Sequence, residues 1–150
     1  MSSTITASNL VVTISEQITL NNQTINSENQ LTIASVNEIS KRIMTIPSAS
    51  EVTVVAFSTA VGAGTFVSGD LKYLRITNKD TVNYARIRVK KNGADTFDTR
   101  LDAGQSFILG NTKESVSATA TAFATFQDAD SVNAQAYGGN VDVEFFVASI

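Results

Sequence analysis

The sequence contains no cysteine, no histidine and no tryptophan, and it has a single proline among its 150 residues. Without cysteine the chain forms no disulfide and carries no thiolate nucleophile. Without histidine it lacks the commonest general base and the commonest metal ligand. These absences exclude Ser-His-Asp and Cys-His catalytic sites and every zinc site built on cysteine or histidine. We therefore expect a protein that is not an enzyme and that binds neither a metal nor a cofactor.

Charged residues and long apolar runs are also scarce. Charged residues make up 17% of the chain, against about 25% in typical domains, and the net charge is −3. No apolar run approaches the ~18 residues of a transmembrane helix. The N-terminal residues 1–6 lack the basic and apolar regions of a secretory signal. We expect a soluble protein made in a cytoplasm, with neither a nucleic acid nor a membrane as its partner.

The residues that are abundant favour β-structure. Valine, isoleucine and threonine number 15, 12 and 18, whereas leucine numbers only 7. Their branched side chains are stiff and pack well on a pleated sheet. A chain of this length also suits a single domain with an ordinary hydrophobic core. The composition therefore predicts a single all-β domain spanning residues 1–150.

Strands are easiest to place in the second half, where apolar and polar residues alternate. Residues 83–89 put Ala85, Ile87 and Val89 on one face, and the following Asn92-Gly93 predicts a tight hairpin turn. Four further segments alternate in the same way, at residues 71–78, 105–109, 131–137 and 141–147. The last two flank Gly138-Gly139-Asn140 and predict a final hairpin. The spacing predicts eight or nine strands in a single antiparallel β-sandwich, jelly-roll or Ig-like.

The first half and one later segment are less regular. Residues 9–20 and 30–34 predict strands around a polar turn, and residues 1–35 form a candidate extended N-terminal arm. Ser35-Val-Asn-Glu38 matches a capping box, which predicts a short helix in residues 36–46, with a strand as the alternative. Residues 111–130, rich in alanine, threonine and serine, predict an irregular excursion or a short helix.

Few residues are candidates for chemistry. Asp128 and Asp130 are spaced as two oxygen ligands of a Ca²⁺ site, but no complete calcium-binding loop is present and turn formation is the preferred interpretation. Residues 61–69 contain a G-x-G but lack both the third glycine of a dinucleotide-binding loop and the lysine of a P-loop. We expect these glycines to form a connecting loop.

The candidates for an interaction surface are outward-facing residues. Arginine and tyrosine on the solvated face of strands resemble a nucleic-acid stacking platform, but the protein is acidic overall, and both residue types are enriched at protein–protein interfaces. In Phe145-Phe146, alternation buries only one ring, so the other must contact a second subunit or be covered by residues 111–130. The predicted interface residues are Arg75, Tyr84, Arg86, Arg88 and Phe146.

The second half also resembles a known group of proteins. The matching motifs are Leu71-Lys-Tyr-Leu-Arg-Ile-Thr-Asn-Lys-Asp80, Asn83-Tyr-Ala-Arg-Ile-Arg-Val89, Leu101-Asp-Ala-Gly-Gln-Ser-Phe-Ile-Leu109 and Val132-Asn-Ala-Gln-Ala-Tyr137. They are similar to small β-sandwich structural proteins of tailed marine phages, including cyanophages, which decorate capsids or lie in the tail. The resemblance covers about half of the chain, and such families have no catalytic residues to carry over.

This resemblance implies a virion structural protein, foremost a capsid decoration (cement) protein that is assembled in the host cytoplasm. Its partners would be the major capsid protein or tail proteins, and it would form a homo-oligomer, with a trimer as one form. Two alternatives stay open: a tail or fibre-adaptor protein, and a carbohydrate- or Ca²⁺-binding surface module that uses Asp128 and Asp130.

Overall fold

The computed structural model describes residues 4–91, 95–114 and 126–150, which are all-β. Within these ranges no helix is long and apolar enough to cross a membrane. The described residues form thirteen strands rather than the predicted eight or nine. In chain order they are β1 (Ser8–Leu20), β2 (Gln23–Val36), β3 (Glu38–Ile46), β4 (Val52–Ser58), β5 (Thr65–Val67), β6 (Leu71–Asn78), β7 (Tyr84–Lys91), β8 (Asp95–Leu101), β9 (Ser106–Leu109), β10 (Lys113–Glu114), β11 (Gln127–Asp128), β12 (Ser131–Tyr137) and β13 (Val141–Ser149).

Nine of these strands form the two main sheets of an antiparallel β-sandwich. Sheet 1 has the order β5-β4-β12-β7-β8, and sheet 2 has the order β3-β13-β6-β9. All neighbours pair antiparallel except β4 and β5, which are parallel. The remaining strands form two separate pairs, β1-β2 and β10-β11. Strands β1 and β2 correspond to the strands predicted at residues 9–20 and 30–34, so the larger strand number comes from β3, β5, β10 and β11. The predicted all-β fold class is confirmed.

The core lies between the two sheets and follows from the alternation in the sequence. On β7, Ala85, Ile87 and Val89 are almost fully buried, and on β13 the same holds for Val143 and Phe145. All five belong to one apolar cluster to which both sheets contribute. Because side chains point alternately to the two faces of a strand, the intervening polar residues lie on the outer faces of the sandwich.

Of the two alternatives for residues 36–46, the short helix is wrong and the strand is correct, because Glu38–Ile46 forms β3. Strand β3 pairs with β13 along its whole length, from Glu38↔Ser149 to Ile46↔Val141. The capping-box serine, Ser35, has a positive φ of 62° and lies near the end of β2, two residues before the connection to β3, rather than at a helix start. Pairing satisfies the backbone groups of β13 along this edge, and β-branched residues such as Ile39 and Ile43 suit a strand.

The final hairpin is also wrong as predicted, because β12 lies in sheet 1 and β13 in sheet 2. The turn that joins them crosses from one sheet to the other. Gly138 in this turn has φ of 87°, and a Cβ atom there would lie 2.5 Å from Oδ1 of Asn83. The turn therefore requires glycine at this position for both its backbone conformation and its close approach to Asn83.

Two predicted connections lie wholly or partly outside the described residues. The Asn92-Gly93 turn is one of them, although β7 and β8 on either side pair antiparallel as that turn predicts. Of the predicted excursion over residues 111–130, residues 115–125 lie outside, and the flanking β10 and β11 form a short antiparallel pair. The predicted irregular or helical structure is therefore not described for its middle part.

Candidate interaction surface

The N-terminal strands β1 and β2 form a long antiparallel hairpin. Their register extends from Ser8↔Val36 to Leu20↔Gln23. Asn21 and Asn22 form the two-residue turn with φ of 51° and 63°. A type I′ turn needs positive φ at both positions, and asparagine tolerates this conformation better than most residues do. The sequence therefore encodes both the tip and the length of the hairpin.

The two faces of this hairpin differ in polarity, because residues directly opposite each other share a face. One face, here called the apolar face, carries eight apolar residues and a single charged one, Glu16. The apolar residues are Leu10, Val12, Ile14, Ile18, Leu20, Ile25, Leu31 and Ile33. The opposite face is polar except for Val11, and it includes a cross-strand hydrogen bond of 3.0 Å between the hydroxyls of Thr19 and Thr24.

Among the described residues, only the base of the apolar face is covered. Leu10, Val12 and Ile33 pack against a small cluster that includes Tyr73 and Ala148 of sheet 2. Further out the apolar face is open, and the exposed fractions of its side chains are 46% for Ile14, 50% for Ile18, 58% for Leu20, 62% for Ile25 and 53% for Leu31. The polar pair Glu16 and Ser27 crosses this open part, between Ile14 on one side and Ile18 and Ile25 on the other. Exposed apolar side chains in this number are typical of an interaction site, and an isolated hairpin has little stability of its own in water.

Phe146 lies where the hairpin meets sheet 2. As predicted, Phe145 is buried in the core whereas Phe146 points to the outer face. Phe146 is half-buried, packs against the cluster at the hairpin base, and meets the ring of Tyr73 edge-on at 6.1 Å between centroids. The cover that the structure shows for Phe146 therefore comes from the N-terminal hairpin.

The four other predicted interface residues do not form one row. Tyr84, Arg86 and Arg88 lie together on the outer face of sheet 1, whereas Arg75 is on β6 in sheet 2. Arg75 donates to Glu144 Oε1 at 2.6 Å, and this contact holds the pKa of the Glu144 carboxyl below its ordinary value. The predicted basic row is thus divided between opposite outer faces of the sandwich.

The arginines of sheet 1 are paired with carboxylates of the same chain. Arg88 donates to both carboxylate oxygens of Asp98 at 2.6 Å and to Glu51 Oε2 at 2.9 Å. Arg86 donates to Gln135 at 3.0 Å and to Glu51 at 3.4 Å. Paired cations of this kind hold the sheet face together and leave little charge for an outside partner.

Glu51 lies at the centre of this network, which the sequence analysis missed. Its Oε1 accepts from Lys90 Nζ at 2.6 Å and from Asn133 Nδ2 at 2.8 Å. The hydrogen bond from Lys90 lowers the pKa of the Glu51 carboxyl, and Asn133 and Arg88 add to this effect. A lone glutamate before a strand carries no sequence signal, because its partners are distant along the chain.

The lowered pKa of Glu51 predicts a loss of stability in acid. A carboxyl whose pKa is lower in the folded chain stabilises the fold above the unfolded value of about 4.3, and this contribution disappears as the pH falls through the folded value. We expect Glu51→Gln to unfold at a lower temperature than the unmodified protein at pH 7, with the difference narrowing below about pH 4. Circular-dichroism melts across this range measure it, and Glu28→Gln on the exposed hairpin is the matched control. A difference that is constant with pH would contradict the role of Glu51.

An aromatic stack occupies one corner of the same face. The rings of Tyr84 and Tyr137 are parallel, with centroids 5.1 Å apart, and the Arg100 guanidinium lies 3.9 Å from the Tyr84 centroid. The predicted interface residue Tyr84 is therefore covered on both sides by residues of its own chain. This arrangement stabilises the sheet face through stacking and cation–π contact.

The candidate cation ligand Asp128 has partners on both oxygens. Thr112 Oγ1 donates to its Oδ1 at 2.6 Å, and Lys113 Nζ donates to its Oδ2 at 2.9 Å. These hydrogen bonds lower the pKa of the Asp128 carboxyl. Among the described residues, no group of three or more acidic side chains is placed to hold a metal ion. A cation at Asp128 would have to displace the ammonium group of Lys113.

Comparisons of the chain with protein-family models, with curated proteins and with solved structures find no match. The geometry of the chain is therefore the structural basis for assigning a function. The feature of that geometry with the clearest bearing on function is the open apolar face of the hairpin.

Proposed function

We propose that this protein is a non-enzymatic structural protein of a virus particle, and that it serves as a capsid decoration protein. The observation that carries the proposal is the apolar face of the β1-β2 hairpin, which no described residue of the sandwich covers beyond its base. A protein built to remain alone in water rarely exposes a patch of this kind. The resemblance of the second half to phage structural proteins points in the same direction.

The two parts of the chain would have different tasks in this function. The sandwich would serve as the support, with one continuous core and an ion-paired outer face on sheet 1. The hairpin is an arm that presents backbone and apolar side chains to neighbouring proteins. Repeated copies would cover the junctions between shell subunits and bury apolar surface there, which resists pressure from inside the shell.

The proposal can be tested on tailed marine virus particles purified on a density gradient after nuclease treatment. An antibody raised against the purified protein is used for immunogold electron microscopy, and mass spectrometry searches the same particles for peptides of the chain. We expect gold over the capsid and peptides in the particle fraction. Antibody absorbed with the purified protein is the control.

Two results would overturn the decoration role. Gold particles at the tail would instead support the alternative of a tail or fibre-adaptor protein. The apolar face of the hairpin could serve as an interface in that protein as well. Peptides found only in infected-cell material and absent from particles would remove the chain from the virion altogether.

A further inference from the structure

The size of the apolar face indicates how much a partner must cover. Thirteen residues at about 3.3 Å each make the hairpin roughly 40 Å long, and two strands make it about 10 Å wide. The part beyond the covered base, from Ile14 to Leu20, is about half of that length and offers roughly 230 Å², less than a third of the ~800 Å² that each partner contributes to a standard interface. A stable partner must therefore contact further surface next to the hairpin.

Such a surface exists on β3 at the edge of sheet 2. Ile39 and Ile43 are 65% and 62% exposed on its outer face, with Lys41 between them. Leu10 at the hairpin base, Ile39 and Phe146 line one shared cavity, so this surface is continuous with the apolar face. Strand β3 is an edge strand of sheet 2 and pairs only with β13 there, so no further strand of this sheet lies along its other edge.

The hairpin and β3 carry complementary patterns. The apolar face of β1 reads Ile14, Glu16, Ile18 at alternate positions, and the outer face of β3 reads Ile39, Lys41, Ile43 at the same spacing. All six side chains are exposed. Glu16 and Glu28 are the only charged residues of β1 and β2. Lys41 is cationic, and its Nζ lies 3.7 Å from Glu144 Oε2 of the same chain, a longer contact than the hydrogen bonds of the sheet 1 arginines, which leaves the 58% exposed side chain open to a second carboxylate. Opposite charges flanked by isoleucines on both sides favour the pairing of these two surfaces.

We propose that the occupant of the apolar face is a second copy of this chain, and that Ile14, Glu16 and Ile18 of each hairpin lie on Ile39, Lys41 and Ile43 of the other copy. Sheets that pack face to face lie about 10 Å apart, which brings Glu16 within reach of Lys41. The contact joins the hairpin of one copy to β3 of the other copy, so a symmetric dimer contains this contact twice. The proposed dimer rests on the proposed function, since both use the apolar face of the β1-β2 hairpin. It identifies a second copy of the chain as the partner of that face.

Charge reversal tests the contact. Glu16→Lys and Lys41→Glu each place like charges opposite each other, and we expect each to weaken self-association roughly tenfold to a hundredfold in dissociation constant. Mixing the two variants should restore association, because every contact in the mixed pair again joins opposite charges. Sedimentation equilibrium of the full chain gives the masses, and circular dichroism checks that each variant is folded.

The control is Glu28→Lys, which makes the same charge change on the polar face of the hairpin and should leave the mass unchanged. A monomeric unmodified protein at micromolar concentration would overturn the inference, as would two single variants that associate normally or fail to recover on mixing. These results are independent of the particle experiment. Self-association without the chain in virions would remove the proposed function alone, and a monomeric chain found in virions would remove this inference alone.

Discussion

Ile87→Asp is expected to prevent folding. Ile87 lies at the centre of β7, has no exposed surface, and is flanked by Ala134 of β12 and Thr99 of β8. Removing a buried isoleucine side chain costs about 2–5 kcal/mol. An unpaired buried carboxylate adds several kcal/mol more, against a total stability of ~5–15 kcal/mol. The expected result is a chain without the cooperative melt of the unmodified protein.

The matched control for this prediction is Ile108→Asp. Ile108 is also a strand residue, on β9, but it is 44% exposed on the outer face of sheet 2 beside Arg75. We expect this variant to fold and to melt near the temperature of the unmodified protein, because its carboxylate stays in water. Circular-dichroism melts of both variants measure the difference. A folded Ile87→Asp protein would show that the inner face of β7 has been assigned incorrectly.

The faces of most strands could be predicted from the sequence because alternation is a local property. Ala85, Ile87 and Val89 face inward as their spacing predicts, and Phe145 is buried while Phe146 points outward. When a strand has one buried face and one solvent-exposed face, its sequence alone determines which side chains point inward. The amphipathic hairpin was predictable in the same way, since Ile14, Ile18 and Leu20 already alternate with polar residues.

The assignment of strands to sheets could not be predicted in this way. The alternation of apolar and polar residues places Arg75 and Arg86 on outer faces, but it does not show which sheet each strand belongs to. The two residues in fact lie on opposite sides of the sandwich. The turn at Gly138 looks like that of a hairpin, although it joins two sheets. For residues 36–46 the spacing of Val36, Ile39 and Ile43 also fits a helix, and pairing with β13 decides in favour of a strand. These outcomes depend on partners that are distant along the chain.

Asn78 is the polar residue whose loss is expected to weaken the sandwich most. It is fully buried at the end of β6, where the chain passes from sheet 2 to sheet 1. Its Nδ2 donates to the carbonyls of Asn83 at 2.9 Å and Leu101 at 3.1 Å, and its Oδ1 accepts from the backbone N–H of Asp80 at 2.8 Å. One side chain thus joins the end of β6, the turn before β7 and the end of β8.

Asn78→Leu keeps the number and branching of the side-chain heavy atoms but removes all three hydrogen bonds. Each buried polar group left without a partner costs about 1–3 kcal/mol, so we expect a loss of about 3 kcal/mol or more. In a chain of this size that loss lowers the melting temperature by roughly 6–12 °C. Asn26→Leu, on the exposed polar face of the hairpin, makes the same change and should alter stability by less than about 0.5 kcal/mol. Equal melting temperatures for the two variants would contradict this role of the Asn78 side chain. Backbone hydrogen bonds alone would then stabilise the connection between the two sheets, for example the one from the N–H of Asn78 to the carbonyl of Gln105 at 2.9 Å.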